Sequence, residues 1–374
     1  MKKGIKSLAI LITMSMTVMM SGCSQKDAPK AETPETSKEE LSETGRTVTD
    51  GAGRAVDLPE KVESIVCLNV STLRYTCYME AQDLVIGVED YEQEKSISRP
   101  YNYVNFELFE GLPVIGTNGE HYPEEIISAD PDVIMMSAYD DGDADTLQNT
   151  TGIPVVLVPG SDSMMDEGAY ETFRIMGEVY GKEQRAEELI DYMDEIKKDL
   201  DTRTSGVPDE EKPTVYVCGV SFKGAHGFEG TEAGYGPLSA IRARNLADET
   251  GQEGPCDIDL EQVLAWNPDV LFVDFSGLPL INEDHAANSD YYSQLKAVQE
   301  GNVYSQIPFR SSASNLETAL ADTYYAASIL YPEEFADVDP VEKAGEIFET
   351  LLGTDFYGDL KENGYEFRTI EIGA

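Results

Sequence analysis

The sequence predicts an α/β protein of two similar lobes with central, mostly parallel sheets, joined by one long helix. Three observations carry that prediction. The first is a duplicated unit: Glu124-Glu125-Ile126-Ile127-Ser128-Ala129-Asp130-Pro131-Asp132-Val133-Ile134 returns 137 positions later as Glu261-Gln262-Val263-Leu264-Ala265-Trp266-Asn267-Pro268-Asp269-Val270-Leu271. Each copy is a short helical stretch stopped by a proline, which lacks the N–H a helix interior needs and biases its predecessor away from helical geometry. The second is the apolar run after each proline, Val133 to Met136 and Val270 to Val273. Short, non-alternating runs of this kind are strands covered on both faces. The third lies between the copies. Phe173, Met176, Tyr180, Ala186, Leu189, Met193, Ile196 and Leu200 recur at three- and four-residue steps, a helical period that makes a stiff connector, with a break at Gly181.

In chain order, Lys2, Lys3 and Lys6 precede an apolar run from Leu8 to Met20, then Met20-Ser21-Gly22-Cys23. A positive stretch, a run too short for a stable span and small residues before a cysteine make a lipoprotein leader, with Cys23 the lipidated mature N-terminus. An ordinary signal peptide or an uncleaved anchor is the plainer reading, and either also exports the chain. Residues 24 to 45 hold Leu41 as their single large apolar side chain, so they cannot bury enough surface to fold and read as a flexible tether. The expected organisation is leader 1–22, tether 23–45, first lobe 46–162, connector 163–207 and second lobe 208–374.

The first lobe opens with a hairpin through the turn at Asp50-Gly51. A strand from Ser64 to Leu68 follows, then a helix from about Thr72 to Ala81 with Ser71 as N-cap, and a strand from Leu84 to Val88. Residues 89–112 are aromatic and poorly periodic and read as a long functional loop. Strands at Val114-Ile115, Val133 to Ser137 and Val155 to Val158 alternate with the first repeated helix and one near Ala144 to Thr151. The second lobe repeats this order. A strand from Thr214 to Cys218 leads into a Gly-rich loop over 219–236. A short helix, the second repeated unit, a strand from Val270 to Asp274, a helix near Tyr291 to Gln299 and strand Val303-Tyr304 come next. Ser314-Asn315-Leu316-Glu317 reads as a capping box for a helix to Leu330, and Asp339 to Leu352 is a last amphipathic helix.

Composition bounds the function. The formal charge is −44, and loss of Lys2, Lys3 and Lys6 with the leader takes it to −47. So acidic a body argues against nucleic acid and anionic lipid surfaces as partners. Cys67, Cys77, Cys218 and Cys256 could pair within lobes in an exported chain, but Cys67 and Cys218 lie inside apolar runs and read as buried thiols. No CxxC or His/Cys spacing points to zinc, and no Gly-x-Ser-x-Gly, HExxH or P-loop points to an enzyme. A surface adhesin would have no use for a two-lobed cleft.

Thr47-Val48-Thr49-Asp50-Gly51-Ala52-Gly53-Arg54, then Leu58-Pro59 and Ser64-Ile65-Val66, resembles the opening of the iron-chelate and cobalamin substrate-binding proteins of ABC importers. The two Pro-Asp-Val units, the connector and the lipobox are similar to that family too, over essentially the whole chain from Arg46. The resemblance implies a ligand cleft between the lobes, no cofactor of its own, and a monomer. The implied partners are an ABC permease with its cytoplasmic ATPase. The implied ligand is an iron siderophore, haem or corrinoid, and the implied membrane contact is the Cys23 lipid on the extracytoplasmic side. It also implies that Glu124 and Glu261, each seven residues before its proline, dock into permease arginines. As plain chemistry, each is an N-terminal helix carboxylate facing the helix dipole.

In open α/β lobes the ligand sits beyond the carboxyl ends of the strands. The large polar residues expected there are Arg99, Tyr101, Tyr103, Asn118, His121, Tyr139, Lys223, His226, Tyr235 and Arg310. Cations and tyrosines suit an anionic, aromatic chelate. His121 and His226 fall in equivalent-looking loops and could reach one metal centre, or could be exposed loop residues. A receptor for a bare transition-metal ion is the alternative, disfavoured because such sites use three or four His and carboxylate ligands.

Overall fold

The computed structural model describes residues 45–117, 119–137, 144–161 and 165–374. Cys23, the tether, Asn118 and Tyr139 lie outside the described residues. Among the described residues no helix is long and apolar enough to cross a membrane.

The first lobe begins with an antiparallel hairpin, β1 (Arg46–Thr49) and β2 (Ala55–Leu58), with Val48 opposite Val56. Its turn is fixed by Asp50, which is 2% exposed. The Asp50 carboxylate accepts from the N–H groups of Ala52, Arg54 and Leu157 and from the Arg54 guanidinium. The remaining elements are β3 (Ile65–Leu68), α1 (Thr72–Tyr78), β4 (Val85–Glu89), α2 (Pro100–Phe109), β5 (Val114–Thr117), β6 (Glu120–His121), α3 (Pro123–Ala129), β7 (Val133–Ser137), α4 (Ala144–Thr151) and β8 (Val155–Val158). They form a six-stranded sheet of order β6-β5-β4-β3-β7-β8, parallel except for β6.

Helices α5 (Glu167–Tyr180) and α6 (Glu183–Thr204) follow. They break at Gly181 in the left-handed region (φ 67°), where glycine carries no Cβ penalty. The second lobe contains β9 (Thr214–Cys218), β10 (Gly230–Ala233), α7 (Gly236–Ala240), β11 (Arg244–Asn245), β12 (Gly254–Asp257), α8 (Leu260–Trp266), β13 (Val270–Asp274), α9 (Leu278–Tyr292), α10 (Lys296–Glu300), β14 (Val303–Gln306), α11 (Leu316–Leu330), α12 (Pro340–Leu352) and α13 (Tyr357–Glu362). Its parallel sheet has the order β11-β9-β13-β14.

The duplicated unit does the same work twice. Helices α3 and α8 both end on a left-handed residue before the proline, Asp130 (φ 55°) and Asn267 (φ 49°), the residue types that tolerate that conformation. The aspartate after each proline then ties its strand to the first strand of its parallel sheet. Asp132 Oδ2 accepts from the N–H groups of Glu63 and Ser64, at 2.7 and 3.0 Å, just before β3. Asp269 Oδ2 accepts from Thr214 N–H and Oγ1, at 2.8 and 2.7 Å, at the start of β9. Both aspartates also donate their own N–H across to Ser64 and Thr214.

Several local expectations are corrected. Residues 89–112 are not a loop: they contain a 3-10 turn over 90–93 and helix α2. Its period is hidden because α2 packs on α1, α12 and β4, while apolar Leu108 faces solvent. Part of the 219–236 loop is β10, paired antiparallel with β12, and α9 occupies a stretch whose polarity suggested none. Ser71 stands at the N-cap of α1 but is left-handed and makes no cap bond. The capping box at 314–317 does not form, because Asn315 and Glu317 have stronger tertiary partners. Cys67, Cys77, Cys218 and Cys256 are buried free thiols.

Candidate functional site

Both parallel sheets reverse their strand order next to the opening strand, between β3 and β7 in the first lobe and between β9 and β13 in the second. Crevices at such switch points, beyond the strand carboxyl ends, are where open α/β sheets hold ligands. Each switch point is tied by hydrogen bonds. Asn69 Nδ2 donates to the Ser137 carbonyl at 3.2 Å, and Ser137 Oγ to that of Val70 at 2.9 Å. In the second lobe Ser221 Oγ bonds Ser276 Oγ at 3.0 Å. Gly219 (φ 77°) allows the close approach there, since a Cβ would lie 2.9 Å from the Asp274 carbonyl oxygen. Asn69, Ser71, Lys223, Ser312 and Ala313, all beyond strand carboxyl ends, hold positive φ. Strain of this kind costs about 1–3 kcal/mol per residue and concentrates at ligand clamps.

The two halves meet through a buried polar core. Arg74 on α1 is 0% exposed. Its Nε donates to Asn315 Oδ1 at 3.0 Å, and Nη2 to the carbonyls of Ser311 and Ser312 at 2.7 and 2.8 Å. Its guanidinium lies 4.9 Å from the Tyr101 ring centroid. Asn315 Nδ2 donates on to the Ser98 carbonyl. Tyr78 donates to Glu317, which is also fully buried. Burial raises the Glu317 pKa, against the Tyr78 bond and the Arg74 charge.

In the second lobe the carboxyl ends of β9, β13 and β14 enclose a narrow recess lined by Val220, Ser221, Asp274, Ser276, Phe309 and Arg310. Phe309 and Arg310 also line a cleft of about 620 Å³, whose walls include Met165, Lys197, Asp201, Glu232 and Arg242. Arg310 forks onto buried Glu232, with Nε 3.0 Å from Oε2, and contacts Ser314 Oγ. Arg242 pairs with Asp201. A larger cavity of about 760 Å³ runs along Val303 and the C-terminal segment. It faces the amino end of β14, so the strand-end cleft is the better candidate.

The other predicted residues divide. Arg99 donates to the carbonyls of Tyr91 and Glu94, and its Nε lies 3.6 Å from Glu92. Tyr101 is corrected from a cleft wall to core, whereas Tyr235, though buried, lines the strand-end recess. Tyr101 is 2% exposed and bonds Glu92, while Tyr235 is 0% exposed and packs on Phe309. Both rings are needed to fill space between elements. Tyr103 is half-buried against Phe356 and lies under Lys95. Lys223 is exposed, and His121 sits half-buried on the antiparallel edge strand. Among the described residues the His/Cys/Asp/Glu atoms grouped closely enough for one ion are those of His226, Glu229 and Asp257. His121 is not with them. Glu124 and Glu261 are exposed in the first turns of α3 and α8.

Arg74, Glu232, Glu89 and Asp274 were missed. The last two had a signal, an acid closing an otherwise apolar strand. Burial pushes the Glu89 carboxyl up to about 7, against a bond from Tyr91, and the Asp274 carboxyl up to about 6, against two bonds from Ser276. A raised carboxyl pKa means that the folded chain holds its proton more tightly than the unfolded chain. Stability is therefore highest below about pH 4.5 for this group and falls as pH rises toward 7. For Glu89 the loss is up to ~3 kcal/mol. Glu89→Gln is expected to flatten that part of the stability–pH curve, as read from urea midpoints between pH 4.5 and 7.5. An unchanged slope would refute the assignment.

The sequence profile of the periplasmic binding protein family matches residues 83–307. Molybdate-binding protein MolA of Haemophilus influenzae is 22% identical over 333 residues, covering 84% of this chain and 93% of its own. The uncharacterized ABC transporter substrate-binding lipoprotein YvrC of Bacillus subtilis is 23% identical over 334 residues, covering 86% and 95%. Among solved structures, a periplasmic solute binding protein from Veillonella parvula gives a TM-score of 0.66 at 18% identity, over 83% of this chain and 94% of that one. MolA bound to molybdate gives 0.64 at 21%, over 83% and 98%. At these identities the structures establish a shared fold.

Proposed function

We propose a metal-chelate ligand for this chain, which belongs to the periplasmic binding protein family and is the extracytoplasmic substrate-binding component of an ABC transporter. The observation that carries the ligand class is the cleft of about 620 Å³, in which Lys197, Arg242 and Arg310 stand beside Phe309 and Met165. That volume falls within the ~300–1,000 Å³ of sites that enclose whole organic ligands. Three cations beside an aromatic and a thioether suit a ligand with an anionic rim and an apolar body, such as a ferric siderophore, haem or corrinoid. Arg242 and Arg310 pair with Asp201 and Glu232 on the same walls, so the cleft sets three cations against two carboxylates.

A small tetrahedral oxyanion is the second reading. It is favoured by the molybdate-binding relative and by buried Arg74, whose Nη1 has no hydrogen-bond partner among the described residues. Such an anion needs only a small cage of N–H donors, which the strained loops at 69–71 and 311–313 could supply.

Delivery to the permease and its ATPase would use Glu124 and Glu261 as docking groups, with half-exposed Ile127 beside the first adding apolar surface. Cys23 would carry the lipid anchor.

Absorption spectra and metal content of protein purified from its native host test the ligand class. A Soret, corrinoid or ligand-to-metal charge-transfer band is expected, with Arg310→Ala weakening chelate binding at least about tenfold. Bound molybdenum or tungsten with no such band would replace the chelate by the oxyanion.

A further inference from the structure

We propose that His226, Glu229 and Asp257 form a divalent transition-metal site within the second lobe, apart from the ligand cleft. Their candidate ligand atoms lie within 4.8 Å of one another, and none of the three lines the cleft or the strand-end recess. The fold delivers them from two segments, the β9–β10 loop and the end of β12. His226 lies on the loop after β9, Glu229 immediately precedes β10, and the β10–β12 ladder sets Asp257 opposite Gly230.

The hydrogen bonds of His226 define its chemistry. Nε2 is 2.9 Å from the Phe222 carbonyl oxygen, and Nδ1 is 2.8 Å from Asp257 Oδ1. A carbonyl can only accept, so Nε2 carries a proton. The Nδ1 lone pair then faces a carboxylate oxygen, and two acceptors that close require a cation, either a second proton or a metal ion. An imidazole that donates one N–H to a backbone carbonyl while aiming its other nitrogen at carboxylates is the arrangement that orients ligating histidines. The Phe222 ring, stacked on the imidazole at 3.9 Å and 9°, holds its plane. Glu229 Oε1 is fixed by the Gly227 N–H at 3.0 Å, which leaves Oε2 for an ion.

Zn–N and Zn–O bonds of ~2.0–2.2 Å set tetrahedral ligand atoms about 3.4 Å apart. The Nδ1–Oδ1 separation is already short of that, and rotation of the partly exposed Glu229 and Asp257 side chains brings the third atom in. One imidazole and two carboxylates suit Zn²⁺, Mn²⁺, Fe²⁺ or Co²⁺. Because all three ligands come from one lobe, movement between lobes would not open the site. An ion there would pin the loop that carries Val220 and Ser221 into the recess.

The test uses the full chain stripped with EDTA and titrated with Co²⁺, then Zn²⁺, in about 150 mM NaCl with excess Mg²⁺ to occupy surface carboxylates. One Co²⁺ per chain with visible d–d bands, displaced by Zn²⁺, is the expected result. His226→Asn and Asp257→Asn should each weaken it at least about tenfold. Circular dichroism reports whether the variants fold, and Asp257→Asn, at a half-exposed side chain, carries the test if His226→Asn does not. Absent bands in the wild type, or bands unaffected by Asp257→Asn, would overturn the proposal and leave His226 as a hydrogen-bond partner of Asp257. Chelate binding that survives both substitutions keeps this test separate from the ligand reading.

Discussion

Arg74→Ala is expected to lower stability by about 3–5 kcal/mol, the range for removing one partner from a buried charged network. The substitution strips Asn315 Oδ1 and the carbonyls of Ser311 and Ser312 of their donors. It also leaves Glu317, fully buried and partnered by the Tyr78 hydroxyl, without the guanidinium charge that favours its ionised form. Each orphaned acceptor alone costs about 1–3 kcal/mol. Arg74→Lys keeps the charge but not the fork, so it should recover only part of the loss. Urea unfolding of the three proteins provides the measurement. A midpoint for Arg74→Ala within experimental error of wild type would show that the two halves do not depend on this contact. If Arg74→Ala does not fold at all, Arg74→Lys still reports the effect of the fork.

The second large effect is on transport. Reversing both docking candidates, Glu124→Lys with Glu261→Lys, is expected to reduce uptake in cells at least about tenfold and to leave ligand affinity within about twofold. Both side chains are exposed on helices α3 and α8, which run into the amino ends of β7 and β13, the end of each sheet opposite the cleft. Like charges facing permease arginines would repel, so Lys should act more strongly than Ala. If the glutamates only complement helix dipoles, the double variant loses about 0.3–1 kcal/mol of stability per site and nothing in uptake. Normal uptake would therefore remove the docking assignment. Weakened ligand binding would place the cleft on the other side of the sheets.

What sequence alone determined is the periodic and local part of this protein. Apolar runs after prolines gave β7 and β13, because a strand covered on both faces has no polar alternation to lose. The three- and four-residue spacing around Gly181 gave α5 and α6, because a break in helical period and a glycine coincide there. The Pro-Asp-Val repeat also gave two similar lobes, and the structure adds the reason that Asp132 and Asp269 make the same strand-to-strand bonds. Tertiary structure alone decided the site. Helix α2 packs on α1, α12 and β4 and so shows no single apolar face. Asn315 and Glu317 bond Arg74 and Tyr78 from across the chain instead of capping their own helix. Arg74 and Ser311 are 237 positions apart, and the walls of the candidate cleft are drawn from positions 165 to 310. Side chains that meet only after both sheets have formed leave no periodic trace, because their placement follows from strand order and loop geometry and not from neighbours along the chain.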